Sequence, residues 1–493
     1  MRFEIECLAA ILPRFASMML SPEGDPDAFD IPTPRSYAEA VTSEYSSQWQ
    51  IAMDAEMASW KSTSTYVNKQ AQRDYELHSP DFSTTFLQGS LHEEIWLRCP
   101  PCFTGSFPAG TRWSLRRPVY GLRQAPREWQ DTLRTTLAAL GFALSYADPS
   151  LFLRTDTTLR PFYILVCVDD LVFATADSEA LTLVKAGLQE RHTCTDLGEL
   201  RSYLGLQITL DRARRTITLT QSHMMHQVLR RFGFQYSSPQ PIPLPTGHSL
   251  SAPPSDESVE PSGPYLEFVG CLMYLMTCTR HDLAYPLSLV ARYVTPGRHR
   301  KVHWDAEKRM LRYLCSTSGM GLVLGGRGLV ILTRHSDASW ANDQSTKRSS
   351  QGYTFSLGSC SVSWRSTRSY FVLGSSCEVG IYAGAMAAQE LCWMTYLLTD
   401  SGERPRSPPN LYVDNKAMLA LCQEQRLEHR TKHFALRYFL AQELRKRGQL
   451  RLSYVTSRAN TTDVFTKALG SSDLHRFCTA LGLLPILPHL LVP

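Results

Sequence analysis

The sequence predicts a mixed fold of the α+β or α/β class, organised in more than one domain. The chain has 493 residues, and single hydrophobic cores stop growing well before that length. Between Asp81 and Phe234, β-type apolar runs alternate with helical stretches, and a second mixed segment begins near Leu329. Residues 237–264 are so rich in Pro and Ser that we expect a linker rather than a packed core. We therefore expect two mixed bodies in series.

The predicted division has seven parts. They are a loosely ordered lead-in at 1–40, an N-terminal helical segment at 41–70, a mixed body at 71–236, the linker at 237–264, a helical connection at 265–326, a second mixed body at 327–480 and a tail at 481–493. In the second segment Trp49, Met53 and Met57 recur every four residues, as on one face of a helix. Trp129, Leu133, Leu137 and Leu140 predict another amphipathic helix, over 127–142.

Composition and charge restrict the classes of function. A net charge of +5 is small for this length, so it permits a nucleic-acid partner without arguing for one. The 13 cysteines form no CxxC pairs, which favours a reducing compartment over a disulfide framework or a zinc module. We find neither a signal-peptide core nor an apolar run of about 20 residues. We therefore expect an intracellular protein without a membrane partner.

Three acidic residues are candidates for phosphate chemistry in the first body. In FYILVCVDDLVFA, residues 162–174, two β-type runs flank Asp169 and Asp170, so a hairpin would place both at its tip. Asp81 follows another predicted strand. Carboxylates on two strands can hold two Mg²⁺ ions, which would activate a hydroxyl and stabilise a leaving pyrophosphate. Considered separately, each has a simpler interpretation. Asp169 and Asp170 could lie in a turn that faces water, and Asp81 could be an exposed acid at the end of a strand.

Three more acids mark the second body. Asp337 lies at the end of an apolar strand in RHSDASWAN, and Asp414 is placed similarly in LYVDNKAML. Asp463 is predicted to precede a helix ending in FTKAL. Each acid alone could simply cap backbone N–H groups. The predicted order of elements is strand, hairpin, helix, strand, helix, helix, strand, helix, with the hairpin turning at Gly358-Ser359.

Six collinear segments resemble the reverse transcriptases of copia-type retrotransposons. They are DFSTTFLQG, EEIWLR, RRPVYGLRQAPREW, DPSLFLR, CVDDLVFA and DLGELRSYLGLQI. The resemblance implies a right-hand polymerase palm with a thumb-like region over 71–236, and it makes Asp81, Asp169 and Asp170 the metal-binding triad. The start of the last segment, DLGEL, matches the part that supports the primer end. Without the resemblance, DLGEL would be interpreted as an ordinary turn before a strand.

The loop before the predicted helix at 127–142 matches the family's stretch near the incoming nucleotide. Its candidate binding residues are Tyr120, Gly121, Arg123 and Gln124. A glycine turn, a basic side chain and an amide could meet phosphate or base edges. The same residues could equally form a loop-to-helix entry, with Pro126 in the first turn.

The second body resembles the ribonuclease H domain of the same family. QGYTFSLG, SVSWRS and HRTKHFALRYF carry this resemblance together with the three acids. It implies cleavage of the RNA strand of an RNA–DNA hybrid with two metal ions, and Asp337, Asp414 and Asp463 match three of the family's four acids. The two resemblances together span nearly all of 36–480.

The resemblance also implies cofactors, partners and location. The expected cofactor is Mg²⁺ or Mn²⁺ in a two-metal arrangement. The expected partners are an RNA template, a DNA primer, an RNA–DNA hybrid and nucleoside triphosphates. A retrotransposon particle in the cytoplasm, and the nucleus, are the expected locations. The oligomeric state and the template preference are not indicated.

Two departures from the family pattern predict impaired catalysis. The stretch between Tyr66 and Asp81 is short and lacks the family's basic segment resembling KARLVAKG, so the fingers are truncated and the cations that neutralise a triphosphate are missing. In GSSCEVGIYAG, Gly380 stands where the family has its fourth acid, and Glu378, two residues earlier, points to another side of the helix. The alternatives are a non-catalytic nucleic-acid-binding remnant and a decayed pseudogene product.

Overall fold

A computed structural model of the protein describes residues 75–98, 108, 110–154, 161–247, 250, 264–295, 298–325, 332–358, 360–402, 408–423 and 440–486. The predicted lead-in at 1–40 and helix at 41–70 lie outside these residues. The chain divides into two compact units. The first comprises Asp74–Leu204 and Tyr396–Arg404, and the described part of the second lies within Gly205–Thr395 and Pro405–Pro493. The division falls inside the body predicted at 71–236.

The first unit is built on an antiparallel sheet. In chain order its elements are β1 Glu76–Phe82, β2 Trp96–Arg98, β3 Arg112–Ser114, α1 Ala125–Ala139, β4 Ala143–Leu144, β5 Leu151–Arg154, β6 Phe162–Cys167, β7 Asp170–Thr175, α2 Ser178–Gln189, β8 Cys194–Glu199 and β9 Ser202–Tyr203. A sheet with the order β4-β5-β6-β7-β1-β8 contains the predicted hairpin as β6 and β7. Strands β2 and β3 form a separate two-stranded pair.

Helix α1 supplies one side of the core of the first unit. The predicted helix at 127–142 is confirmed, although it begins at Ala125 and ends at Ala139. Trp129, Leu133 and Leu137 are buried on its apolar face. They pack with sheet residues that include Phe82, Phe152, Phe162, Ile164, Leu171 and Phe173. This packing fixes the helix against the strands that carry the three predicted acids.

The second unit contains two sheets and most of the helices. In chain order its elements are β10 Leu206–Asp211, β11 Thr216–Thr220, α3 Ser222–Arg231, α4 Tyr265–Cys278, α5 Ala284–Val290, α6 Lys301–Ser316, β12 Met320–Gly325, β13 Leu332–Ser339, β14 Ser350–Leu357, β15 Cys360–Arg368, α7 Ser376–Asp400, β16 Asn410–Val413, α8 Lys416–Gln423, α9 Leu440–Lys446, β17 Arg451–Tyr454, α10 Ser471–Ala480 and β18 Leu483–Pro485. The last five residues of α7 belong to the first unit. Strands β18, β12, β11 and β10 are neighbours in that order.

The other sheet of the second unit has the order β15-β14-β13-β16-β17. β13 pairs antiparallel with β14 and parallel with β16, and β16 pairs parallel with β17. Within the described residues, the predicted order is confirmed from strand β13 to strand β17, and the helix that follows, α10, begins later than predicted. A mixed arrangement of helices and sheets, as predicted, is therefore present in both units.

One predicted element is wrong. No helix ends in FTKAL, because Asp463 lies within a short 3₁₀ helix, Thr461–Phe465, and the next α-helix begins only at Ser471. Two threonines and a valine surround the acid, and β-branched side chains disfavour a long α-helix. The side chain of Asn460 caps this turn by accepting the N–H of Thr462 at 3.2 Å.

Two expectations concern properties of the whole chain. Of the helices within the described residues, none combines the length and apolar character needed to cross a membrane. Ten cysteines in the described ranges are free thiols. Residues 237–247 of the predicted linker contain neither helix nor strand.

A buried ion pair connects the helical segments before the second sheet. The Arg280 guanidinium contacts Asp282 Oδ2 at 2.7 Å, and both side chains are fully buried. Tyr313 donates its hydroxyl to the same carboxylate at 2.6 Å, and Arg280 also donates to the hydroxyl of Thr317 at 2.7 Å. Burial opposes ionisation, yet the adjacent guanidinium lowers the pKa of Asp282. Each charge is therefore balanced inside the protein.

We expect Arg280→Leu to destabilise the second unit by about 3–5 kcal/mol, because it leaves a buried carboxylate without its counter-charge. Urea unfolding followed by tryptophan fluorescence measures this loss. The control is Arg447→Leu, since Arg447 pairs with Glu443 at 2.8 Å on the surface. Such exposed pairs contribute less than about 1 kcal/mol. Equal losses in the two variants would contradict a special role for the buried pair.

Two candidate carboxylate sites

The first group of acids lies where strands β1 and β7 meet. Asp81 on β1 stands opposite Asp170 on β7 in the antiparallel register, and Asp169 lies in the turn between β6 and β7. Val168 in the same turn has a φ of 54°, a left-handed conformation that is costly for a β-branched residue. Its carbonyl accepts the indole N–H of Trp129 at 2.8 Å. Helix α1 thus holds the turn that carries the acids.

The electrostatic environment of this group favours a cation. Burial, followed by the nearby charge of Asp81, raises the pKa of Asp169, and a hydrogen bond to Thr85 opposes that rise. Burial together with Asp169 and Asp81 raises the pKa of Asp170. Atom Oδ1 of Asp169 is buried and accepts no hydrogen bond. A bound divalent ion would both screen the repulsion and provide a partner for that oxygen.

The predicted nucleotide-binding loop lies between β3 and α1. Tyr120 is 57% exposed, and its ring packs at a tilt of 59° against Phe86, with the ring centroids 4.6 Å apart; Phe86 lies in the 3₁₀ helix that follows Asp81. Gly121 has a φ of 98°, which favours glycine. Arg123 is exposed, and Gln124 precedes α1 and donates to Glu93 at 3.3 Å. This aromatic contact brings the loop close to the strand that carries Asp81.

The second group of acids is more compact. One oxygen each of Asp337, Asp414 and Asp463 lie within 4.8 Å of one another, and no other set of three His, Cys, Asp or Glu side chains in the described residues does so. Strands β13 and β16 are parallel with Ser336 opposite Val413, so Asp337 and Asp414 come next to each other at the same edge. These two predicted acids converge with the third, whereas Asp81, Asp169 and Asp170 are spread more widely.

Asp463 reaches the sheet because Gly352 leaves room for its 3₁₀ helix. A Cβ atom on Gly352 would lie 2.8 Å from the Cβ of Phe465 and 2.9 Å from a backbone carbonyl oxygen, distances that real structures avoid. Gly352 is also the register partner of Asp337 on β13. The amide of Asn460 donates to the carbonyl of Ser336 at 3.1 Å and so ties the same turn to β13. The approach of the third acid therefore depends on a glycine in the neighbouring strand.

One ammonium and several hydroxyl groups partly balance the negative charge of the second group of acids. Lys467 Nζ lies 2.7 Å from Asp463 Oδ1 and 3.6 Å from Asp337 Oδ2, and Thr466 donates its hydroxyl to the latter oxygen. Ser457 donates to Asp414 at 2.8 Å. Even so, burial and the nearby Asp337 raise the pKa of Asp414, and they raise the pKa of Asp463 to about 7. One ammonium does not neutralise three carboxylates.

Gly380 faces this group across a small pocket. The pocket is lined by Ser336, Asp337, Ala338, Gly380, Ala383, Val413, Asp414, Asn415 and Met418. A Cβ atom on Gly380 would lie 3.1 Å from the amide nitrogen of Asn415, which donates to the carbonyl of Ser376. Glu378 is not part of the lining and instead accepts the N–H of Gly374 at 2.7 Å. The pocket therefore has acids on one side and a glycine on the other.

Sequence reasoning missed four supporting residues. They are Thr85, Trp129 as a hydrogen-bond donor, Thr466 and Lys467. Lys467 follows Asp463 by four residues within the FTKAL segment, and this spacing could have suggested an ion pair if the turn had been predicted correctly. Trp129 was predicted as a core residue, and nothing in the spacing of α1 indicates the target of its indole N–H.

Comparisons with known proteins show which family the chain resembles. Residues 48–246 match the family described as reverse transcriptase (RNA-dependent DNA polymerase). Over 411 residues the chain is 30% identical to the retrovirus-related Pol polyprotein from transposon TNT 1-94 of Nicotiana tabacum, covering 82% of this chain and 31% of that protein. It is also 30% identical over 292 residues to a transposon Ty5-1 protein of Saccharomyces cerevisiae, covering 58% of this chain and 92% of that one.

The chain thus spans less than a third of the length of the tobacco polyprotein. Among solved structures, the foamy viral protease-reverse transcriptase in complex with RNA/DNA hybrid is 12% identical, with 78% of this chain and 44% of that chain covered and a TM-score of 0.40. A score of this size is too low to establish a shared fold.

We expect Asp463→Asn to stabilise the second unit at neutral pH without divalent ions. An unfolded aspartate ionises near pH 4, whereas the folded one keeps its proton to about pH 7. The folded protein therefore binds more protons over this window, and its stability falls as the pH rises through it. Asparagine cannot ionise, so the variant should gain about 1–2 kcal/mol at pH 7 and little at pH 4.

Calorimetric melting in EDTA at both pH values measures this difference. Asp473→Asn, an exposed acid paired with Arg476 on α10, is the control and should show no such gain. A loss of stability in Asp463→Asn that is the same at both pH values would contradict the expectation.

Proposed function

Because this chain belongs to the copia-type, retrovirus-related Pol polyprotein family of transposons, we propose that it derives from an RNA-directed DNA polymerase with a ribonuclease H domain. Its substrates would be nucleoside triphosphates and a DNA primer on an RNA template, followed by the resulting RNA–DNA hybrid. We further propose that this copy is catalytically impaired. We propose that it acts in a retrotransposon particle in the cytoplasm and also in the nucleus.

The observation that carries the polymerase assignment is the register of β1 against β7. It sets Asp81 opposite Asp170, beside Asp169 in a strained turn, with a buried carboxylate oxygen that lacks a partner. We propose these three residues as ligands of Mg²⁺ or Mn²⁺. When bound, such ions would activate the primer hydroxyl and stabilise the charge on the transferred phosphate. Trp129 would act as a positioning residue, since its hydrogen bond fixes the turn.

The loop before α1 would bind the incoming nucleotide. Its exposed Arg123 can bind a phosphate, and Tyr120, supported by its ring contact with Phe86, can contact the sugar or the base. Gln124 would present its amide beside them once its weak bond to Glu93 is exchanged for the ligand. The DLGEL segment, which contributes to β8 beside β1, would support the primer end.

The second unit would carry the ribonuclease H domain over 327–480, with the proposed palm and thumb-like region at 71–236 and the connection at 265–326. Asp337, Asp414 and Asp463 fit a divalent ion, because three carboxylate oxygens converge with more negative charge than their neighbours balance. As a group they would form the metal-binding centre at which the RNA strand of a hybrid is cleaved.

The impairment rests on two absences in the sequence. Between Tyr66 and Asp81 nothing resembles the family's basic segment, and the stretch carries only Lys69 and Arg73 as cationic side chains. Cations that neutralise the triphosphate are worth orders of magnitude in the rate of phosphoryl transfer. Gly380 provides no ligand at the edge of the pocket beside Asp337 and Asp414. The first absence affects synthesis and the second affects cleavage.

We expect primer extension on a homopolymer RNA template with Mg²⁺ to be no greater than that of Asp169→Asn. The missing basic residues should leave the triphosphate poorly neutralised even where the acids are intact. Incorporation clearly above the Asp169→Asn control would show that the palm works without the usual fingers and would refute the impairment. Binding to a primer–template is measured in parallel.

The salt dependence of that binding separates the proposal from its alternatives. Hybrid binding that weakens with salt, without turnover, would favour a non-catalytic nucleic-acid-binding remnant. A folded protein that binds neither template nor hybrid would contradict the proposed function altogether. Early protease sensitivity of the purified chain would instead indicate a decayed product that does not fold.

We expect Gly380→Glu to raise cleavage of an RNA–DNA hybrid at least about tenfold, because it restores a carboxylate at the pocket. Asn415 would need to move by only a few tenths of an ångström to accept the new Cβ. The matched control is Gly380→Gln, which has the same size without the charge. If both variants cleave equally, or neither exceeds the parent chain, Gly380 is not what limits the nuclease.

A further inference from the structure

Lys467 lies where a cation would bind to the second group of acids. Its ammonium is 2.7 Å from Asp463 Oδ1 and 3.6 Å from Asp337 Oδ2. Burial opposes its charge, but Asp337, Asp463 and Asp414 together raise its pKa. The side chain is 37% exposed, whereas those of Asp337 and Asp463 are 4% and 13% exposed. Lys467 is therefore a charged group inserted among largely buried acids.

The position of this ammonium disfavours a metal ion on the same oxygen atoms. A Mg²⁺ ion binds carboxylate oxygens at about 2.0–2.1 Å, so an ion on Asp463 Oδ1 would share that oxygen with the Lys467 ammonium and be repelled by its charge at close range. Asp337 Oδ2 is also occupied by the hydroxyl of Thr466. The Asp463 side of the group is thus already filled by a permanent positive charge.

The opposite side of the group remains open to an ion. The pocket there exposes Asp337 and Asp414, and its remaining lining includes Gly380, Ala383 and Met418, with no further carboxylate. Two carboxylates and water molecules suffice for one hydrated Mg²⁺, which retains several of its waters in proteins. A second ion would find no fourth acid at Gly380, and at Asp463 it would meet the charge of the Lys467 ammonium.

We infer that this group binds one divalent ion, held by Asp337 and Asp414, and that the ammonium of Lys467 occupies the second cation position at Asp463. The inference rests on the proposed function, since it concerns the same carboxylates. It makes Lys467 a positioning residue that balances charge in place of a second metal ion. The site would then differ from a two-metal arrangement in the number of ions it binds.

The test counts Mn²⁺ ions by isothermal titration calorimetry on the full chain. Wild-type protein is compared with Lys467→Met, which is similar in length and uncharged, and with Lys467→Arg, which keeps the charge. The carboxylates of the first unit are identical in all three chains, so any difference in bound ions belongs to the second group. A double variant, Asp337→Asn with Asp414→Asn, shows how many ions this group holds.

We expect the double variant to bind one Mn²⁺ fewer than the wild type. Lys467→Met should bind one more than the wild type, or bind its ions at least about tenfold more tightly, and Lys467→Arg should match the wild type. If Lys467→Met does not fold, Lys467→Gln replaces it, because its amide can still donate to Asp463.

Two results would count against the inference in different ways. The same number and affinity of ions in Lys467→Met and the wild type would overturn the role of Lys467 while leaving the proposed function intact. An unchanged number of ions in the double variant would show that the group binds no metal, and the nuclease part of the proposed function would fail with it.

Discussion

The repulsion between Asp337, Asp414 and Asp463 is the constraint around which the second unit is arranged. Three carboxylates with oxygens within 4.8 Å of one another are unfavourable unless cations or protons intervene. The protein accommodates them with Lys467, with hydroxyl donors and with a proton that Asp463 keeps to about pH 7. Folding stability and metal affinity are therefore opposed at this position. A tighter cluster binds an ion better and folds less well without one.

The two groups of acids meet this conflict differently. In the first unit, Asp81 and Asp170 lie on adjacent strands with solvent access, so water screens much of the repulsion, although partial burial still raises the pKa of Asp169 and of Asp170. The structural cost there lies in the backbone, in the left-handed conformation of Val168. In the second group the cost is electrostatic, since burial and the neighbouring carboxylates raise the pKa of Asp463. Under the proposed function, the more open group would admit primer, template and nucleotide, and the compact group would act on a single bound strand.

The sequence predicted those parts of the structure that depend on local pattern. Alternating apolar runs around Asp169 and Asp170 located the hairpin, and the spacing of Trp129 and Leu133 located the buried face of α1. Parallel pairing of β13 and β16 could not be read from local pattern, so the convergence of Asp337 with Asp414 came only from the family resemblance. The turn that carries Asp463 was mistaken for a helix entry, because its conformation depends on packing against β14. The partners of Lys467 and Trp129 are tertiary contacts without a local signal.

Gly352 shows how the group of three acids could be disrupted without any change in the acids themselves. A side chain at this position would displace the turn that brings Asp463 to the sheet. A related sequence with valine at this position would keep all three acids. If related sequences were classified as active or inactive by their acidic residues alone, this one would be classified as active. Steric requirements of the backbone belong in that classification beside the catalytic acids. A chain can retain every acidic ligand and still lose the backbone geometry that brings those ligands together.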